Sequence, residues 1–165
     1  MNWEAIGAVG EILGAIAVLV TLIYLATQIR QHTLATRAGT NSAYAEAARA
    51  FNMAIANSPE LARAMANWPE SPADATPEDQ VLVLSAWRAC FQIWANVHRQ
   101  YRDGTLDPAL MTALRKEIST YSMGASDDPA LIPRARMVEF SWSVERFIFD
   151  PSFQQFVDDL LTNPD

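Results

Sequence analysis

Residues 7–31 read GAVGEILGAIAVLVTLIYLATQIRQ, a stretch fit for hydrocarbon in every respect but one: Glu11 stands inside it. From Ala5 to Ala26 only Glu11 and Thr21 interrupt the apolar run. As a helix these residues extend roughly 33 Å, enough to cross a bilayer core. A cleaved signal peptide would open with basic residues and close on a small-residue cleavage site. Here the chain opens with the acidic MNWE, and polar residues follow the run. A buried helix of a soluble protein is seldom so apolar around its whole circumference. The run therefore predicts a transmembrane helix over residues 1–29.

Flanking charge sets the expected orientation. Glu4 precedes the run, and Arg30 and Arg37 follow it. By the positive-inside rule the N-terminus lies outside and the rest of the chain in the cytoplasm. Trp3 and Tyr24 suit the two interfaces, where an aromatic ring has one wet edge.

On a helical projection Gly7, Glu11, Gly14, Val18, Thr21, Leu25, Gln28 and His32 follow alternating steps of four and three. They share one face, drifting about 20° per heptad. Gly10 and Gly14 make a G-x-x-x-G pair, a spacing that lets two membrane helices approach closely. The larger aliphatic residues, Ile12, Leu13, Ile16, Leu19 and Ile23 among them, point in other directions. The face predicts a helix–helix interface or a pore lining made by Gly7, Glu11, Gly14, Thr21 and Gln28. A carboxylate at that depth must be paired, protonated or solvated. With one span in the chain its partner comes from another chain, most simply a second copy and otherwise a larger membrane complex. The alternative is a span running from Ile12 to Ile29, with Glu11 among the outer headgroups.

Beyond the span the chain is alanine-rich and free of proline to Asn57, and the helix is expected to continue there. Residues 30–57 then form a helical extension and the first helix of a bundle, with Tyr44, Ala47, Ala48, Phe51 and Ile55 on its apolar face. Residues 58–165 form a cytoplasmic helical domain. Five pairs set a capping residue before proline: Ser58-Pro59, Thr76-Pro77, Asp107-Pro108, Asp128-Pro129 and Asp150-Pro151. The cap accepts orphan N–H groups, and proline at the first helical position has none to lose. Helices are expected near 59–68, 77–102, 108–121, 133–149 and 151–161. The fold class is thus all-α: one N-terminal transmembrane helix continuing into a bundle of about five further helices.

Composition narrows the functions. The net charge is -7 and no basic cluster tracks a phosphate backbone, which argues against nucleic acid as a partner. Cys90 is the single cysteine, so an internal disulfide and a cysteine metal cage are both ruled out. Trp87, Phe91, Trp94, His98 and Tyr101 share one face of the longest helix of the domain. They read as core, with Trp87, Trp94 and His98 a weaker candidate ligand pocket. Glu139 and Glu145 lie too far apart around a helix to act as a pair, and salt bridges to Arg88, Arg136 or Arg146 are the expected role. No catalytic residue, cofactor or metal site is predicted. Ser141 and Ser143 lack a nucleophile-elbow context, and GAVGEILG follows no strand as a dinucleotide loop must.

The opening NWEAIGAVGEILGAIAVLVTLIYLATQIRQHT resembles the start of a group of small bacterial membrane proteins of unknown function. Their shared pattern is a Glu-containing, Gly/Ala-rich span ending in a YLA-x-QIRQ-x-T type sequence. The resemblance covers about residues 3–37. It implies a bacterial inner-membrane protein and places Glu11 and Gln28, Arg30 and Gln31 among the marked positions, with no catalytic residue to carry over.

The expected function is a non-enzymatic, single-pass membrane protein that self-associates in lipid and presents a helical interaction module. A homo-oligomeric cation pathway with a Glu11 ring is the alternative. An enzyme or small-ligand sensor with an aromatic pocket near His98 ranks last.

Overall fold

Each serine, threonine or aspartate set before a proline starts a helix wherever the chain is described. The computed structural model describes residues 2–121 and 132–163. Among them are six α-helices and no strand: α1 (Trp3–Asn57), α2 (Pro59–Ala66), α3 (Pro77–Arg102), α4 (Pro108–Ser119), α5 (Ile132–Glu145) and α6 (Pro151–Thr162). Ser58 accepts the Leu61 N–H at 3.2 Å, Thr76 the Asp79 N–H at 3.2 Å, Asp107 the Ala109 N–H at 2.9 Å and Asp150 the Phe153 N–H at 3.2 Å. Each such cap is worth about 1 kcal/mol. The fifth expected start, at Asp128, and the SMGASDD loop lie outside the described residues.

Helix ends obey equally local chemistry. Gly104, at a φ of +71°, lets the Thr105 N–H reach the Gln100 carbonyl at 3.0 Å and its own N–H reach Tyr101 at 3.1 Å, which closes α3. The expected 133–149 helix stops at Glu145, tightens into a 3₁₀ turn over Arg146–Ile148, and leaves Phe149 extended. Pro151 is the cause: it excludes helical geometry at Asp150, so the chain must straighten before the next cap. Asn67 ends α2 two residues early, its amide donating to the Arg63 carbonyl at 3.0 Å.

Packing divides the chain into two units, Met1–Gly39 and Thr40–Asp165, with α1 contributing to both. In the first unit every side chain from Gly7 to Thr36 is exposed. This is the one stretch long and apolar enough to cross a membrane among the described residues.

The second unit is a bundle around α3. That helix packs on α2, α4 and α5, while α4 also meets α6 and α2 meets α5. Phe91, Trp94, Leu114, Ile118, Met137, Val138, Phe153 and Val157 are essentially sealed from solvent. Full burial of such a side chain is worth about 1.5–3 kcal/mol, so these eight dominate the unit's stability. Phe91 meets Trp142 edge-on at 5.1 Å, and Trp87 meets Tyr121 edge-on at 5.4 Å, the arrangement that ring quadrupoles favour. Residues 40–57 of α1 join this unit through Tyr44 and Phe51, which lie half-buried against its core.

Candidate functional site

In the first unit the polar residues of the predicted face differ in how they are satisfied. The Thr21 hydroxyl donates to the Ala17 carbonyl at 2.8 Å, one turn back on the same helix. The Gln28 amide donates to the Tyr24 hydroxyl at 2.7 Å. Each thus has one donor occupied within its own helix, and the second N–H and the carbonyl of Gln28 remain. Glu11 makes no hydrogen bond or ion pair with any described residue. A Cβ added at Gly7, Gly10 or Gly14 would meet nothing within 4 Å. Nothing among the described residues therefore requires glycine at those positions.

In the second unit the aromatic face of α3 packs into the core, with Trp87 also bordering a groove of about 660 Å³ beside Phe51, Tyr121 and Met137. Trp87, Phe91, Trp94 and His98 are all buried, while Tyr101 is 45 % exposed and leaves the set. Trp87 and Trp94 both pack on Tyr121, and His98 packs on Phe153 (5.6 Å) and Phe156 (4.8 Å), which also touch each other at 6.2 Å. Burial holds the His98 imidazole below its ordinary pKa; Asp150 opposes this, and Arg102 and Arg115 reinforce it. A buried histidine held against two phenylalanines in one ring cluster is a packing residue. Of the three residues foreseen for a ligand pocket, Trp94 and His98 pack against aromatic side chains, while Trp87 lines that groove.

The carboxylates are structural partners. Glu145, 4 % exposed, accepts from both Nε (2.8 Å) and one Nη (2.7 Å) of Arg88. Asp158 receives the Trp142 indole N–H at 2.8 Å and pairs with Arg146. Arg136 pairs with Glu70 at 3.4 Å. Glu139 points into solvent. Ser141 is fully buried, and Ser143 donates to the Phe140 carbonyl at 2.7 Å. No group of three metal-ligating side chains occurs among the described residues.

What sequence reasoning missed is a groove of about 680 Å³ between α1 and α3 of the second unit. The two helices run antiparallel there: Thr40 bonds the Thr105 carbonyl at 3.3 Å near one end, and Phe51 meets Trp87 at 6.4 Å near the other. Ala47, Ala50 and Ala54 form one wall and Ala89, Ile93 and Val97 the other. No lining side chain carries a charge. Tyr44 opens onto the groove but directs its hydroxyl to Glu117 at 3.0 Å; burial, and then that carboxylate, raise its pKa beyond any physiological range. Alanine recurring at 43, 47, 50 and 54 was the available signal, and it reads equally as ordinary helix propensity.

No family model, curated protein or solved structure matches the chain.

Proposed function

We propose that the chain is a non-enzymatic, single-pass protein of the bacterial inner membrane, self-associating through its membrane helix and presenting its helical domain to the cytoplasm as an interaction module. The observation that carries the reading is the uniform exposure of Gly7–Thr36, whose apolar surface has no cover within the chain and calls for lipid or another helix. Arg30 and Arg37, set against Glu4, support an N-terminus outside. The bacterial inner membrane rests on the resemblance of residues 3–37.

Three glycines without an intrachain reason support a close helix–helix seam. Glu11, unpartnered and about two turns into the apolar run, supports a second chain as the source of its partner. A second reading places Glu11 in the acidic ring of a homo-oligomeric cation pathway. Thr21 and Gln28, already bonded within their own helix, favour the dry seam over a wet pore.

The test is the mass of full-length protein in lipid nanodiscs, wild type beside Glu11→Gln. A defined homo-oligomer altered by that change supports the seam, and cation flux through the same oligomer in liposomes then separates seam from pore. A monomer indifferent to the change overturns self-association and moves Glu11 to the headgroups or to a different protein.

A further inference from the structure

Residues 40–57 of α1 are held to the second unit differently from every other α-helix in it. The others all bury side chains, among them Leu61 from α2, Trp94 from α3, Leu114 from α4, Met137 from α5 and Phe153 from α6. No residue from Thr40 to Asn57 is buried. The two charged side chains of the segment, Glu46 and Arg49, make no ion pair with any described residue.

Open space borders the segment on both flanks. The groove of about 680 Å³ lies along one and that of about 660 Å³ along the other. Phe51 and Ile55 line both, so they form the ridge between them. The fastenings are narrow. The Tyr44 hydroxyl donates to Glu117 at 3.0 Å, the Phe51 ring meets Trp87 at 6.4 Å, and the Thr40 hydroxyl donates to the Thr105 carbonyl at 3.3 Å. Tyr44 and Phe51 are half-buried and gain only part of what full burial confers, so the segment is attached more weakly than the other helices cohere.

Its far end is free to part from the next helix. Ser58 is extended (φ -114°, ψ 99°), which ends α1, and its hydroxyl accepts the Leu61 N–H at 3.2 Å, which starts α2 on a cap of its own. Leu61 and Ala64 then bury α2 in the bundle with no help from α1.

We propose that residues 40–57 are a detachable strap: they leave α3 as one cooperative unit, turning about Asn57 and Ser58, while α2 to α6 stay packed. Release bares the flank of α3 that carries Ala86 and Trp87, each lining one of the two grooves and each buried with the strap in place. The strap is thus a conformational device that covers or presents an apolar strip of α3.

The experiment is native-state hydrogen exchange on full-length protein in lipid nanodiscs, read by mass spectrometry in urea concentrations below the global transition. A helix of this length without packing is marginal in water, so its amides exchange once the strap is released. Amides within 44–57 should share one opening, at least tenfold more frequent than the openings of α3 and α5. Its urea dependence should be above zero and smaller than theirs, since release exposes part of the surface that global unfolding does. Tyr44→Phe removes the bond to Glu117 and should raise exchange within 44–57 about tenfold, leaving α3 and α5 unchanged. Should that variant fail to fold, Phe51→Leu weakens the contact with Trp87 and is expected to act in the same direction. Equal protection and equal urea dependence in the strap and in α3 would make the unit one cooperative block and overturn the proposal. Exchange within 44–57 that ignores urea overturns it too, because that marks fraying rather than release. So does a variant that raises exchange in α3 as much as in the strap, or one that leaves the strap unchanged.

Discussion

Gly14→Leu isolates the membrane seam from everything else in the molecule. A Cβ at Gly14 meets nothing within 4 Å, so the helix on its own accommodates leucine and gains slightly in propensity. Between two copies packed through Gly7, Glu11 and Gly14, each leucine must enter the contact. Separating packed carbons by 0.5–1 Å forfeits about a quarter to a half of a well worth 0.1–0.2 kcal/mol per atom pair. For roughly 40 pairs around the site the loss is about 1.5–3 kcal/mol, or ten- to a hundredfold in the dissociation constant. Energy transfer between donor- and acceptor-labelled full-length protein, titrated against lipid in liposomes, measures that constant directly. The control is Ile16→Ala, which lies about 200° around the helix from Gly14 and faces away from the seam. A Gly14→Leu constant within about twofold of wild type would refute the reasoning. So would an equal loss in the control, or a wild type that stays monomeric at every protein-to-lipid ratio.

Three further outcomes concern the second unit. Because His98 has its pKa lowered by burial, the folded chain binds fewer protons there than the unfolded chain, and stability present above pH of about 6.5 is lost as pH falls below it. The melting temperature of wild type should therefore drop more steeply into mild acid than that of His98→Leu, and parallel profiles would contradict the assignment. Cys90 is buried, and burial followed by the Glu117 carboxylate raises its thiol pKa far above neutral; maleimide should label it only as the protein unfolds. Modification of the native protein at the rate of a free thiol would show the site to be open. Arg88→Met leaves the Glu145 carboxylate buried without its fork, whereas Glu145→Gln leaves a half-exposed guanidinium that water can serve. Thermal melts should show the larger loss for Arg88→Met; equal losses would mean that the carboxylate is solvated.

Helix starts were legible because their causes are local. A cap oxygen and a proline act within four residues, and the starts of α2, α3, α4 and α6 stand where Ser58, Thr76, Asp107 and Asp150 set them. The apolar segment was legible for the same reason, since no long-range contact is needed to make 22 residues unfit for water. Helix ends were read less well. Pro151 signals that the helix cannot run through Asp150, but not that it tightens into a 3₁₀ turn at Arg146–Ile148 several residues earlier. The burial of Trp68 in the connector after α2, against Phe140 at 5.5 Å, depends on α5 arriving from far along the chain.

The groove was illegible for a deeper reason: it is made of what two helices leave unfilled. Within residues 40–57, α1 lines the groove mostly with small side chains, Ala43, Ala47, Ala50 and Ala54, while Tyr44 and Phe51 border both the groove and the core. If stability alone shaped that second face, leucine there would bury more apolar surface at about 25 cal/mol per Å² and close the gap against Ala89 and Ile93. Alanine keeps the gap open. Periodicity alone does not distinguish a filled helix seam from an unfilled one. Side-chain volume does, once α3 is known to be the opposing wall. Ala50→Leu measures this contrast: a higher melting temperature for the domain is the expected result. A domain no more stable than wild type would mean that the alanines are not holding open a space that the fold would otherwise close.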